Sequence, residues 1–214
     1  MNRPVFRLVT CASALHLLGV TSVLAQRISV TAVGATTSHE LLNRPIGVMA
    51  SFGVPISRRV HGSFSVARLQ RTSDGTGIVC GGLINPSQCP VESFAEKGRI
   101  SMVGIGADVQ LVTARMAGLS VQPQFLWGRA RAERLGDVTG NRLFADRAQL
   151  GFSAGVELRS FPGRQFPVGV VAGAALARVG PANVEGLVDG YTPFDRWYSL
   201  RTVYVGGVLQ WTRR

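Results

Sequence analysis

Apolar residues alternate with small or polar residues along most of this chain. In the segment 46–54, Ile, Val, Ala, Phe and Val fall on one face, whereas Gly, Met, Ser and Gly fall on the other. The same alternation recurs in 103–111, 119–125, 150–159 and 203–211. Because successive side chains of a strand point to opposite sides, this pattern predicts β-strands with one apolar face.

The alternation predicts eight strands joined by connections of two kinds. We place the strands at 27–36, 45–56, 60–71, 99–114, 118–132, 147–160, 167–178 and 198–212. The connections after the second, fourth and sixth strands are short, whereas the others are mostly longer and include 72–98 and 179–197. Short turns at one rim and long loops at the other are typical of an outer-membrane barrel.

The second face of the predicted strands is rich in Gly, Ser, Ala, Gln and Thr and carries few charges. Small side chains suit the narrow interior of an eight-stranded barrel, so the apolar face would contact lipid. In lipid the sheet must close, because an open edge leaves backbone N–H and C=O groups unpaired. The predicted fold is therefore all-β, an eight-stranded antiparallel up-and-down transmembrane β-barrel.

The first 25 residues predict a secretory signal peptide. Two arginines precede an apolar stretch that ends at Ala25, with small residues at the −3 and −1 positions of the expected cleavage site. We therefore expect residues 1–25 to be removed on export and residues 26–214 to form the barrel domain.

The chain is basic, with a net charge of +11, and Lys97 is the only lysine among its 23 basic residues. The arginines are scattered rather than grouped in a short run, and nucleic acid is not an expected partner of an exported protein. An anionic lipid headgroup such as lipopolysaccharide is the better candidate, although arginine-rich codon usage explains the composition equally well. Arg129 and Arg131 follow the outward phase of Phe125 and Trp127, and a solvated strand extension is favoured over lipopolysaccharide contact for them.

Cys80 and Cys89 form an even pair in the exported part of the chain, which favours a disulfide. The turn-rich segment 81–88 between them would close as a small loop. No histidine or further cysteine lies nearby, so we expect no metal site and no cofactor.

Four charged residues are assigned to inward positions of three strands: Asp108, Glu157, Arg159 and Arg201. An unpaired buried charge costs several kcal/mol, so we predict an internal salt-bridge network that plugs the lumen. The alternative is that some of these residues lie near a wet rim. Pro123 falls inside a predicted strand, where its missing N–H suggests a β-bulge.

Two further patterns carry candidate chemistry. Residues 151–155 match G-x-S-x-G, but a hydrolase needs that motif at a strand-to-helix turn, and here it lies inside an alternating segment. His39 stands beside Glu40, yet neighbouring strand residues face opposite ways and adjacency does not make a catalytic triad. We therefore predict no catalytic residues and no enzymatic activity.

The leader, the variation in loop length and the repeated Gly-x-Gly or Gly-x-x-x-Gly strands at 103–111, 151–158 and 205–211 resemble the small outer-membrane β-barrel family. This group includes OmpA-like and OmpX-like barrels and opacity-type surface proteins. The resemblance covers the whole mature chain and rests on pattern. It implies delivery to the outer membrane of a Gram-negative bacterium by the barrel-assembly machinery.

The expected function is that of a monomeric, non-enzymatic outer-membrane protein with a structural or surface-exposed role in adhesion or envelope integrity. The long loops at 72–98 and 179–197 would carry that role. One alternative is a soluble exported lipocalin-like barrel that binds an apolar ligand, which requires an apolar lumen and a polar exterior. Another is a barrel enzyme acting on outer-membrane lipids.

Overall fold

The computed structural model describes residues 26–39, 42–78, 91–114, 117–136, 142–161, 167–182 and 196–211. They form one closed antiparallel barrel in which the strands follow sequence order. Strands β1 to β8 are Gln26–Thr37, Ile46–Pro55, Val60–Ile78, Val91–Thr113, Ala117–Gly136, Arg142–Ser160, Val168–Pro181 and Tyr198–Trp211. The prediction of an eight-stranded up-and-down barrel is confirmed. In this part of the chain, no helix is long and apolar enough to cross a membrane.

Two predictions concern residues outside the described ranges. These are the signal peptide at 1–25 and the disulfide between Cys80 and Cys89. Both stay predictions.

Four strands, β3 to β6, extend about four or more residues beyond their predicted ends at the rim that carries the long connections. β3 continues to Ile78 and β4 begins at Val91, so most of the predicted loop at 72–98 is strand. β5 and β6 likewise reduce the predicted connection at 133–146 to residues 137–141. These extensions lack the apolar alternation because they continue past the apolar part of the barrel.

The outward face is apolar on every strand. Large hydrophobic side chains are exposed there, among them Val203 at 64%, Phe152 at 64% and Trp127 at 60%. A soluble barrel would bury such residues, whereas a barrel surrounded by lipid presents them. The exterior is therefore the reverse of the polar exterior that a lipocalin-like barrel requires.

Near the rim with the long connections, polar residues occupy the outward positions of the strands and apolar residues occupy the inward ones. On β3, Arg68 faces outward and Leu69 inward, and on β4, Arg99 faces outward and Ile100 inward. The same reversal occurs on β5, β7 and β8. We call the outward arginines at this level the arginine belt: Arg68, Arg99, Arg129, Arg178 and Arg201. At this level the apolar side chains Leu69, Ile100 and Leu200 pack inside, as they do in a soluble protein.

The predicted β-bulge at Pro123 is wrong. Pro123 pairs with Ala154 of β6 without a change of register. The irregularity lies on β4, where pairing with β5 shifts between Gln110 and Val112. The missing N–H of Pro123 is therefore accommodated without an extra residue on β5.

Candidate functional site inside the barrel

A cluster of charged side chains crosses the barrel interior near the rim with the short turns. Asp108 Oδ2 accepts hydrogen bonds from Arg27 Nη2 at 2.7 Å and from Arg159 Nη2. Arg159 Nε donates to Glu157 Oε1 at 2.5 Å. We call Arg27, Asp108, Glu157 and Arg159 the buried ionic network. Its two positive and two negative side chains have no net charge, and their mutual attraction offsets the free-energy cost of removing each from water.

Neighbouring strands extend the network around the barrel. Gln122 Nε2 on β5 donates to Asp108 Oδ2 at 2.8 Å, and Tyr204 OH on β8 donates to Glu157 Oε2 at 3.2 Å. Glycines leave room for these side chains. A Cβ on Gly173 would lie 2.4 Å from Tyr204 Cζ, so a larger residue there would displace the ring.

The network closes the lumen at its own level. Each of its four charged residues is at most 4% exposed, and Asp108 is fully buried. A water-filled channel past them would leave polar atoms accessible. The lumen above the network is therefore a compartment separate from the short-turn rim.

Three of the four residues predicted to lie inside do so, and Arg201 does not. Arg201 faces outward and is exposed, in the arginine belt. It has the same parity as Val203 and Val205, and residues two apart on a strand share a face. The assignment of Arg201 to the interior is thus corrected.

The sequence prediction missed Arg27, the partner of Asp108. A signal for it exists, because Arg27, Ser29 and Thr31 alternate with the outward Ile28 and Val30. An arginine in phase with small polar residues on a membrane strand faces the lumen.

Above the network lies a cavity of about 80 Å³, which we call the upper chamber. Its lower wall is polar and includes Ser65, Gln122, Gln124 and Tyr204. Its upper wall is apolar and consists mainly of Val33, Leu69, Ile100, Met102, Leu126 and Leu200. The small polar second face predicted for the whole barrel therefore describes only the part below this apolar wall.

Gln149 lies on β6 near the upper chamber but is not one of the residues that line it. It occupies the inward position of β6 next to Gly151, whose partner Leu126 lines the cavity. Its side chain is fully buried, and neither Oε1 nor Nε2 has a hydrogen-bond partner. Most buried polar atoms are hydrogen-bonded, so this amide is exceptional.

The candidate catalytic residues lie in separate settings. Ser153 lines the upper chamber from within β6, with no strand-to-helix turn at the G-x-S-x-G segment. His39 lies beyond the end of β1 and contacts Tyr198 edge to face, with 5.6 Å between ring centroids. His61 is opposite Asp108 on the neighbouring strand, beside the buried ionic network.

At the rim with the long connections, β3 to β6 continue beyond their neighbours. The ladder between β2 and β3 ends at Ile46–Gln70, whereas β3 remains paired with β4 up to Ile78. On the other side, the ladder between β6 and β7 ends at Gln149–Pro181. We call this extension, residues 71–78, 91–98, 132–136 and 142–147, the protruding sheet. Among the described residues, 71–78 and 142–147 have a ladder partner on one side only.

Two exposed arginines face each other where the protruding sheet leaves the barrel. Arg99 on β4 is directly opposite Arg131 on β5, and both point outward. Arg129 follows two residues away and forms an ion pair with Asp146. Like charges directly opposite each other on a sheet are destabilising unless an anion lies between them.

Solved structures with the same architecture are outer-membrane barrels. The attachment invasion locus protein Ail of Yersinia pestis matches with a TM-score of 0.51 and 12% identity, over 87% of this chain and 98% of that one. A major outer membrane protein of Thermus thermophilus matches with a TM-score of 0.53 and 11% identity, over 87% and 99%. No family model and no curated protein matches the chain.

These similarities confirm, at the level of the fold, the predicted resemblance to small outer-membrane β-barrels. In such barrels the short turns face the periplasm and the long connections face the outside. In that orientation the buried ionic network would lie at the periplasmic end and the protruding sheet at the outer surface.

Proposed function

We propose that this chain is a monomeric outer-membrane anchor that displays a protein-binding sheet at the cell surface, with an adhesive or envelope-structural role and no catalytic activity. The observation that carries the proposal is the protruding sheet. Long loops alone would end the strands at the membrane, whereas these four strands extend a regular, hydrogen-bonded surface outward.

The two edges of the protruding sheet are the expected contact points. An edge strand presents backbone N–H and C=O groups to which an extended segment of another protein adds as a further strand. The β3 edge begins Arg71-Thr72-Ser73-Asp74-Gly75, which is polar and therefore resists uncontrolled self-association. Backbone pairing of this kind tolerates varied partner sequences, as adhesion requires.

Truncating the sheet while keeping the barrel tests the adhesive role. Residues 73–96 are replaced by Asn-Gly, which closes β3 and β4 above the Thr72–Lys97 pair. The assay measures how many bacteria that display the protein attach to surfaces coated with extracellular-matrix proteins. Attachment is expected to fall about tenfold, because a tenfold loss of affinity corresponds to the loss of roughly 1.4 kcal/mol of binding free energy.

The matched control replaces residues 183–195, in another connection of the same rim, by a Gly/Ser linker of equal length. It is expected to attach like the parent protein. Both variants are first checked for the change in electrophoretic mobility on heating that marks a folded barrel. A folded truncation that attaches as well as the parent would contradict the adhesive role.

The absence of catalysis in this proposal is supported by the surroundings of the candidate residues. Ser153 faces a narrow chamber beside Gln124 and Ala177, its partners on β5 and β7. His61 is at the level of the buried ionic network, opposite Asp108. A nucleophile needs its base within hydrogen-bond reach, and these two residues lie in different parts of the lumen.

Lipopolysaccharide is the lipid partner that we propose for the arginine belt. The belt lies where the apolar exterior ends, which is the level of the headgroups in a barrel that spans the outer membrane. Arginine binds phosphate through a planar fork of donors, and the like-charged pair Arg99 and Arg131 offers a site for such an anion. We also propose delivery by the barrel-assembly machinery, as the fold implies.

A further inference from the structure

His61 and Asp108 each have one polar atom without a partner inside the barrel. The two residues are directly opposite each other on β3 and β4 and are 7% and 0% exposed. His61 Nδ1 and Asp108 Oδ1 are both buried and have no hydrogen-bond partner. Most buried polar atoms are hydrogen-bonded, so two exceptions at paired positions are unusual. A hydrogen bond between these atoms would satisfy both, and the present arrangement of the side chains does not form it.

The charges around His61 determine what a proton on it would do. On β2 it is opposite Pro55, which carries no charge. The charged groups that face it come from three strands: Arg27 from β1, Asp108 from β4, and Glu157 and Arg159 from β6. These four charges sum to zero. A proton on His61 therefore gives the whole cluster one net positive charge.

Arg27 is the member of the buried ionic network with the fewest ionic contacts. Among the described residues its guanidinium has one carboxylate partner, Asp108, whereas Arg159 also donates to Glu157. Arg27 reaches Asp108 by crossing β2 over Gly53, where a Cβ would lie 3.3 Å from Arg27 Nη2. It is the second residue of β1, so its release would free the beginning of that strand and leave the centre of the barrel in place.

We propose that a proton on His61 releases Arg27 from the buried ionic network. His61 is the second residue of β3, so the proton reaches it from the water at the short-turn rim. The proton binds Nδ1, and the new N–H donates to Asp108 Oδ1 and turns the carboxylate towards β3. The imidazolium then neutralises Asp108 in place of Arg27, and repulsion by this third cation moves the Arg27 guanidinium to the rim, where water solvates it. The beginning of β1 thereby loses its ionic contact with β4.

Hydrogen–deuterium exchange of the protein in detergent micelles tests the proposal. The backbone amides of 27–31 are followed from about pH 7.5 to about pH 4.5, and the rates are corrected for the intrinsic effect of pH on exchange. This range includes the ordinary titration of histidine near about 6.5 and extends below it, because the two arginines oppose a further positive charge. Protection of these amides is expected to fall about tenfold in acid. The amides of 150–153, on β6 far from His61 along the barrel, should keep their protection.

Two variants identify the histidine that is responsible. His61→Gln keeps a polar side chain and takes up no proton, so its amides at 27–31 should keep their protection in acid. His39→Gln is the matched control at the opposite rim and should lose protection as the parent does. Both variants are verified as folded by heat-modifiable migration. Protection of 27–31 that does not change with pH in the parent, or that falls equally in His61→Gln, would overturn the proposal.

Discussion

Asp108 concentrates four hydrogen bonds on one of its two carboxylate oxygens. Oδ2 accepts from Arg27, Ser120, Gln122 and Arg159, whereas Oδ1 has no partner. Two buried arginines therefore depend on this one oxygen for most of the negative charge that offsets their removal from water. A buried ion pair of this kind contributes little net stability when it is intact. Removing one partner lowers the free energy of unfolding strongly, because the other charge is left buried without a counter-ion.

Replacing Asp108 by Asn is expected to lower the free energy of unfolding by about 3–5 kcal/mol, because Arg27 then loses its carboxylate partner and Arg159 keeps only Glu157. Urea-induced unfolding in detergent micelles measures the loss. Asp146→Asn, which breaks the exposed pair with Arg129, is the control and should cost less than about 1 kcal/mol. The double variant Asp108→Asn/Arg27→Gln should regain part of the loss, and equal stability of the parent and Asp108→Asn would contradict the network's role.

The sequence located three of the four members of the network by the parity of their positions. Asp108, Glu157 and Arg159 each lie in a strand whose apolar phase is unambiguous. Arg27 was not predicted, because the first predicted strand begins at this residue and no strand residue before it defines the face on which it lies. Arg201 was predicted to face inward, although it has the same parity as Val203, which faces outward.

Among the elements, β1 and β8 form the seam that closes the barrel. Gly206 lies so close to β1 that a Cβ would be 2.0 Å from the backbone oxygen of Val30 and 2.6 Å from Thr31 Cα. The adjacent Gly207 has nothing within 4 Å of such a Cβ. These two glycines therefore have different roles, although the sequence presents them as a pair.

Gly206→Ala is expected to destabilise the barrel by about 1–3 kcal/mol, because the added methyl forces the two strands apart. Gly207→Ala should be neutral or more stable by up to about 1 kcal/mol, since it restricts only the unfolded chain. The fraction that refolds from urea into micelles, followed by heat-modifiable migration, compares the two. Equal refolding of both variants would show that the seam tolerates the methyl.

The sequence predicted the strand centres better than their outer ends. In the centres, one face meets lipid and the other a narrow lumen, which produces the period of two at 46–54 and 150–159. In the protruding sheet both faces lack lipid, so 71–78 and 91–98 read as polar loops. Their pairing is defined by the opposite strand, which no local pattern reveals.

At the scale of the whole molecule, one chain is adapted to two surroundings. Below the arginine belt, apolar residues face outward and polar residues inward, as in a membrane protein. At the level of the belt the order is reversed, and the inward Leu69, Ile100 and Leu200 belong to an interior core. A strand surrounded by lipid along its whole length keeps one apolar face, so the alternation alone does not predict the apolar upper chamber.

The like-charged pair Arg99 and Arg131 predicts a stability that depends on the surrounding lipid. In micelles without lipopolysaccharide, Arg99→Gln is expected to stabilise the barrel by up to about 0.5 kcal/mol, because it relieves the part of the cross-strand repulsion that Asp146, opposite Arg131 on β6, does not offset. When lipopolysaccharide is added, the parent should gain more stability than the variant. Thermal unfolding with and without lipopolysaccharide measures this difference in stability between the parent and the variant.

Arg178→Gln is the matched control for the effect of lipopolysaccharide on the stability of Arg99→Gln. Arg178 is also an outward arginine of the belt, but it lies opposite Ser199 rather than another cation. In plain micelles the substitution should leave stability unchanged. If Arg99→Gln gains as much from lipopolysaccharide as the parent does, the pair is not a phosphate site.

The arginine belt also has a mechanical consequence. Charged side chains resist being drawn into hydrocarbon, so in a membrane the belt would limit how far the barrel can sink from the outer side. The periplasmic ends of the strands carry apolar outward residues such as Ile28, Val168 and Leu209. In a thinner or thicker bilayer the thickness of the inner leaflet around the barrel would change first. Hydrophobic mismatch is relieved where the contact between protein and lipid is weakest, which is the end without the arginine belt.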